Sequence, residues 1–224
     1  MDKFVETTKA ELSQAFAEFE DAGVSKLIID MRYNGGGLIS VAEMTVNLAV
    51  GAGHAGDVAY RFEYNDNLAS EDYQTTIADI DHSLDLDEIV FLTSSRTRSA
   101  SELVINALFP YAEVTLVGGD TGGKPVGSKG FDFCEKVLFP ITFRLVNAAG
   151  ATDYFDGLPA SCFAADDVLH QLGDPDEEML ATALDFLGTG SCAQPLPPTR
   201  AARVDSIGEV VLPNPIERYD IDSW

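Results

Sequence analysis

The chain has 224 residues, 46% of them hydrophobic and 13 of them Phe, enough to bury a sizeable core and inconsistent with a disordered protein. Its 37 acidic residues outweigh 14 basic ones for a net charge of −23, which argues against nucleic acid and anionic membrane surfaces, since both need clustered Lys and Arg. No run of about 18 apolar residues is present to span a bilayer. From about Glu6 to Asp21, Leu12, Phe16 and Phe19 recur at helical spacing, and Gly23 ends the helix. Met1-Asp2-Lys3 leads straight into this polar helix without a signal-peptide pattern.

Leu27-Ile28-Ile29 reads as an apolar strand, followed by the Asn34 to Gly37 loop and a helix from about Ser40 to Val50. The glycines fall at the carboxyl end of that strand, where open α/β sheets place their sites. Ala59 to Tyr64 alternates as a strand, and the acidic stretch Asp66 to Asp87 is expected to be a mobile excursion. Ile89 to Leu92 is the next buried strand, Ser99 to Phe109 a helix with apolar Leu103, Val104, Ala107 and Leu108, and Val114 to Val117 another strand. A glycine-rich turn carrying Lys124 follows. Beyond it, Gly130 to Cys134 and Val137 to Val146 read as antiparallel strands turning near Glu135-Lys136, with Thr152 to Phe155 extended after them. Asp174-Pro175 starts a helix to about Leu187, and Pro195 to Trp224 is expected to lie extended on the surface. There is no internal repeat and no second core, so one α/β domain spans 1–224, its motif-bearing part about 24–146 and its helical and extended C-terminal part about 160–224.

Ser99 opens a helix, where free backbone N–H groups favour developing negative charge. A serine becomes a nucleophile only where a neighbour takes its proton, and a lysine can do so once desolvation or crowding lets its ammonium release one. Lys124 is the candidate. The plainer alternatives are a helix-capping role for Ser99 and a solvated Lys124 paired with Asp120. Ser101 suits capping or packing, Glu102 suits the first-turn dipole, and Asp30 and Arg32 suit bracing of the glycine loop. Gly35-Gly36-Gly37 is either a tight turn or a loop that frees an N–H for an oxyanion. His54, His82 and His170 share no pattern with one another or with Cys, so no metal site is expected. Gly118 to Lys124 fails as a phosphate loop, because Pro125 stands where Ser or Thr is needed. Of three cysteines, Cys162 and Cys192 could pair across the helix between them, leaving Cys134; three unbridged thiols is the alternative.

Two blocks carry a resemblance. Leu27-Ile28-Ile29-Asp30-Met31-Arg32-Tyr33-Asn34-Gly35-Gly36-Gly37 is one; Ser99-Ala100-Ser101-Glu102 with Val117-Gly118 and Thr121-Gly122-Gly123-Lys124 is the other. In order, spacing and flanking strands they resemble the tail-specific, or carboxyl-terminal processing, serine protease family, from about Leu27 to Val146. The resemblance implies an α/β fold with a Clp protease/crotonase-like superhelical core, an antiparallel β extension and a helical C-terminal part. It implies a Ser-Lys dyad with Ser99 as nucleophile and Lys124 as general base, and an oxyanion hole from the amides of Ala100 and of Gly36 or Gly37. The implied substrate is a polypeptide cut near an unstructured C-terminal tail, with no cofactor, metal or nucleotide. The family acts outside the cytoplasm, so the full-length protein is expected to be periplasmic or secreted, with Met1 an added start after a removed leader. Where family members carry a lysine-orienting glutamine four residues after the lysine, this chain has Ser128, whose reach is shorter. Nothing before Leu27 is long enough for the family's peptide-binding PDZ module. Two rivals remain: a non-catalytic ligand- or peptide-binding module on the same fold, and a catalytic core inactive as a fragment.

Overall fold

The computed structural model describes residues 1–192; the expected extended tail from Pro195 lies outside the described residues. The first helix, α1 (Thr8–Ala22), ends at Gly23, whose left-handed φ of 64° lets its N–H close back on Glu20. A four-stranded parallel sheet follows the order β1 (Lys26–Asp30), β4 (Glu88–Thr93), β5 (Glu113–Gly118), β10 (Cys162–Phe163). Between its strands run α2 (Ile39–His54) and α3 (Ala100–Leu108).

The apolar run in β4 exists because both faces of the sheet are covered. Ile89 and Phe91 join the main core with Leu103, Val104 and Leu108 of α3 and Val41, Val46 and Leu48 of α2. Val90 and Leu92 point the other way, into a second cluster with Val117, Cys162 and the Met179 and Ala183 of α4 (Glu178–Thr189). A disulfide from Cys162 to Cys192 ties the edge strand β10 to the chain just past α4, while Cys134 is free and exposed. Among the described residues no helix is long and apolar enough to cross a membrane.

A second, antiparallel sheet takes the order β3 (Tyr73–Thr76), β2 (Val58–Tyr64), β9 (Ile141–Asn147), β6 (Val126–Ser128). Its Tyr60, Phe62, Phe143 and Leu145 complete the main core. The single strand expected over Val137 to Val146 is two. Residues Lys136–Leu138 form β8 in a separate hairpin with β7 (Phe131–Phe133), and β9 begins after Pro140, which has no N–H to donate to a ladder. The acidic stretch Asp66 to Asp87 is not a free excursion either. Its β3 pairs with β2, Ile77, Leu84 and Leu86 are buried, and the Leu84 and Leu86 amides bond to the Leu48 and Ala49 carbonyls at 2.7 and 3.1 Å. Three apolar anchors outweigh the acids, which stay at the surface. Thr152 to Phe155 joins no strand; a turn at Phe155-Asp156 is closed by the Gly157 N–H on the Tyr154 carbonyl at 3.0 Å.

Candidate active site

The carboxyl ends of β1, β4 and β5 lie side by side, Asp30 opposite Leu92 and Thr93 opposite Gly118, so the loops that follow them meet. From the first loop, Asn34 is fully buried and joins two loops. Its carbonyl accepts from the Arg98 amide (3.2 Å) and the Ser101 hydroxyl (3.0 Å), and its side-chain oxygen accepts from the Gly36 amide (2.9 Å). Gly36 has a φ of +99°, and a β-carbon there would lie 2.9 Å from Ala100 N and 3.0 Å from Ser99 Cβ. The loop therefore passes against Ser99 at a distance only glycine permits. With the Gly36 N–H on Asn34, the amides of Gly37 and of Ala100, the first in α3, have no acceptor among the described residues, nor has that of Gly35.

Ser99 sits at φ 56°, ψ −119°, a sparsely populated backbone state for a residue other than glycine, as the N-cap of α3. Three residues on, the fully buried Glu102 organises the neighbourhood. One carboxylate oxygen accepts from the amides of both Ser99 (2.9 Å) and Lys124 (2.8 Å), so these two nitrogens are no farther apart than the sum of the two bonds. The other accepts from the Gly123 amide (2.7 Å) and the Thr121 hydroxyl (2.5 Å). The turn over residues 152–158 covers that loop: Thr121 exchanges bonds with Leu158, and the Phe155 carbonyl presses on Gly123. Tyr154 of this turn is buried, and burial and then the charge of Glu102 push its phenol above the ordinary range.

Lys124 is half-buried, and its ammonium reaches no carboxylate among the described residues. Asp120, the partner in the plainer alternative, instead accepts from the Ala160 amide at 3.0 Å. Ser128 is exposed on β6, with no hydrogen bond to Lys124 among the described residues. Beneath the glycine loop, Arg32 is 1% exposed and makes a two-pronged pair with the fully buried Glu177, at 2.7 and 2.8 Å, while its Nε donates to Asp30 at 3.1 Å. Burial alone would make Glu177 a weaker acid, but the Arg32 guanidinium and the Leu180 and Met179 amides hold it below the ordinary glutamate range. Glu177 is the N-cap of α4, so one side chain fixes the helix start and braces the loop 145 residues earlier.

The histidines sit apart, His54 on Asp57, His82 on Glu20 and His170 on Asp167, and the described residues hold no group of three or more side chains suited to a metal. A cavity of about 510 Å³ opens beside Tyr64, Asp72 and Ile141 on the antiparallel sheet, but it contains none of the residues above, and its Arg144 is already paired with Glu63. The strand-end cluster, with a strained serine, free amides and an unpaired lysine, has the parts for acyl transfer. Sequence reading gave Glu102 only a first-turn dipole role, Asn34 only a place in the glycine loop and Glu177 only a place in a first helical turn. The Ser-x-x-Glu spacing signalled the first bond to Glu102; nothing local signalled the other three.

A family model described as Peptidase family S41 matches residues 1–152. A protein described as a probable CtpA-like serine protease of Staphylococcus aureus (strain N315) is 28% identical over 142 residues, which is 63% of this chain and 27% of that protein. The chain thus spans about a quarter of the length of such curated relatives. A crystal structure from Bacteroides fragilis NCTC 9343, assigned to the S41 proteases, superposes with a TM-score of 0.77 at 25% identity, over 85% of this chain and 53% of that one. The photosystem II D1 C-terminal processing protease shares the fold, with a TM-score of 0.59 at 24% identity over 72% of this chain and 40% of the other.

Proposed function

We propose a Ser-Lys mechanism from one premise: this chain belongs to peptidase family S41. Ser99 is the nucleophile and Lys124 its general base. The hydroxyl oxygen attacks the scissile carbonyl as the lysine amine takes its proton, and the carbonyl oxygen becomes an oxyanion held by the free amides of Ala100 and Gly37. Gly36 shapes that hole, and Asn34 fixes Gly36 through its amide. The tetrahedral intermediate collapses, the C–N bond breaks, and the lysine ammonium returns its proton to the leaving amine. Water then attacks the Ser99 ester with Lys124 again as base, releasing the new carboxylic acid and free serine.

The observation that carries this reading is the Glu102 oxygen shared by the Ser99 and Lys124 amides, beside a Gly36 that abuts Ser99 Cβ. Ser128 lies outside this network, so the lysine is oriented through its backbone. The substrate is a polypeptide, entered near an unstructured C-terminal tail, and the protein works outside the cytoplasm. Cleavage of a disordered peptide tests the assignment. Ser99→Ala is expected to abolish it with a near-native melt, and Lys124→Arg to abolish it too, because guanidinium keeps the charge but does not yield its proton. An active Ser99→Ala or Lys124→Arg protein refutes the dyad.

A further inference from the structure

In a chain with 37 acidic residues, Lys9, Lys26, Arg32, Lys129 and Arg144 each pair with a carboxylate. Among the described residues Arg96, Arg98 and Lys124 form no such pair; Arg96 and Arg98 shortly precede Ser99 in the chain, and the Lys124 amide shares a Glu102 oxygen with the Ser99 amide. The other cations without one among the described residues are scattered, Lys3 before α1, Arg61 on β2 and Lys136 on β8. Arg98 immediately precedes Ser99, and its side chain lies against Gly122 of the Lys124 loop. Its Nε donates to the Ser95 carbonyl at 3.1 Å, and the two terminal nitrogens of this exposed residue have no partner among the described residues. Arg96 has its guanidinium 6.0 Å from the centre of the Tyr33 ring at the start of the glycine loop. The two arginines thus lean on different loops of the site, Arg98 on the Lys124 loop and Arg96 on the glycine loop.

Resting on the peptidase reading above, we propose that Arg96 and Arg98 form a carboxylate-binding subsite, so that the enzyme prefers polypeptides with an acidic group beside the scissile bond. A guanidinium presents paired N–H donors that match the two oxygens of a carboxylate, and local cations hold an anion that a surface of net charge −23 otherwise repels. Net charge alone predicts the opposite preference, for basic peptides. The carboxylate has two sources, an Asp or Glu side chain or the free C-terminus of the substrate.

The test uses matched fluorescent peptides that carry Glu or Gln near the cleaved bond, each with a free or an amidated C-terminus. Affinity is read on the Ser99→Ala protein, so that binding is separated from chemistry, and kcat/KM on the wild type. The expected result is a preference of about tenfold for the carboxylate-bearing peptide, the size of a charge-assisted hydrogen bond. In Arg98→Gln or Arg96→Gln the ratio falls toward one, and in Arg98→Glu it inverts. Dependence on the Glu side chain identifies the first source, and dependence on the free C-terminus the second; either supports the subsite. Equal affinity for all four peptides, or a ratio unmoved by both Gln substitutions, overturns it. A preference in binding with no cleavage by the wild type keeps the subsite and overturns the peptidase reading.

Discussion

Replacing Glu102 by Gln exchanges one of two acceptor oxygens for an NH₂ group, with almost no change of volume. Four donors converge on the wild-type carboxylate, two on each oxygen. If the amide nitrogen turns toward Ser99 and Lys124, two backbone N–H groups lose their acceptor together. If it turns toward Gly123 and Thr121, one backbone N–H is lost and the Thr121 hydroxyl must reverse its bond. The second orientation is therefore preferred. It orphans the Gly123 amide at about 1–3 kcal/mol and weakens the Thr121 bond by about 1 kcal/mol, roughly 2–4 kcal/mol in all. For a domain of this size each kcal/mol moves the melting temperature by about 2–4 °C, so a drop of roughly 5–15 °C is expected by scanning calorimetry. Because that orientation keeps the Ser99 and Lys124 amides bound, Glu102→Gln retains part of its activity. Glu102→Ala frees all four donors and lets the two loops part, and a displacement of about 1 Å costs on the order of a hundredfold in kcat/KM. A Glu102→Ala protein that melts within about 2 °C of wild type and cleaves peptide as fast would refute the role assigned to this side chain.

Gly36→Ala is expected to fold but lose cleavage, since its β-carbon meets Ala100 N at 2.9 Å at a φ of +99°; wild-type kcat/KM in this variant would remove Gly36 from the site. Glu177→Gln leaves the buried Arg32 charge short of its partner and should cost about 3 kcal/mol in urea titration, whereas replacing both residues by apolar ones should cost less. Glu177 is a stronger acid folded than unfolded, so its stabilisation is complete above the ordinary glutamate range and is lost as pH falls through its lowered folded value. Melts from pH 7 down to 2 should show that loss in the wild type and less of it in Glu177→Gln; identical curves would contradict the assignment. Reducing the Cys162–Cys192 bridge opens a loop with a sequence separation of 30, for which loop entropy gives about 3–4 kcal/mol, read as a lower urea midpoint in dithiothreitol that Cys192→Ser reproduces.

Local pattern carried far in this chain. The β4 run, the helical spacing of Leu12 and Phe16, the glycine that ends α1 and the Ser-Ala-Ser-Glu helix start are each written in a few consecutive residues, because backbone geometry repeats over 2 or 3.6 residues and burial repeats with it. The motif order was equally legible, and with it the family. Where local signals mislead, a distant partner is the reason. The acids of residues 66–87 announce a loop, yet that segment is held by the Leu48 and Ala49 carbonyls of α2, which lie outside any window around it. Helix α4 was expected at Asp174-Pro175 and begins at Glu178, because the side chain of Glu177 serves both the first helical amides and Arg32.

The sequence by itself determined that the candidate residues, Ser99, Lys124 and a run of glycines, follow the ends of strands. Only the tertiary structure decided how they meet: that Glu102 holds the Ser99 and Lys124 amides on one oxygen, that Asn34 takes the Gly36 amide, and that Arg96 lies against the glycine loop and Arg98 against the Lys124 loop. The physical reason is that a hydrogen bond fixes two groups wherever the chain brings them, and its partner leaves no mark on the residues next door.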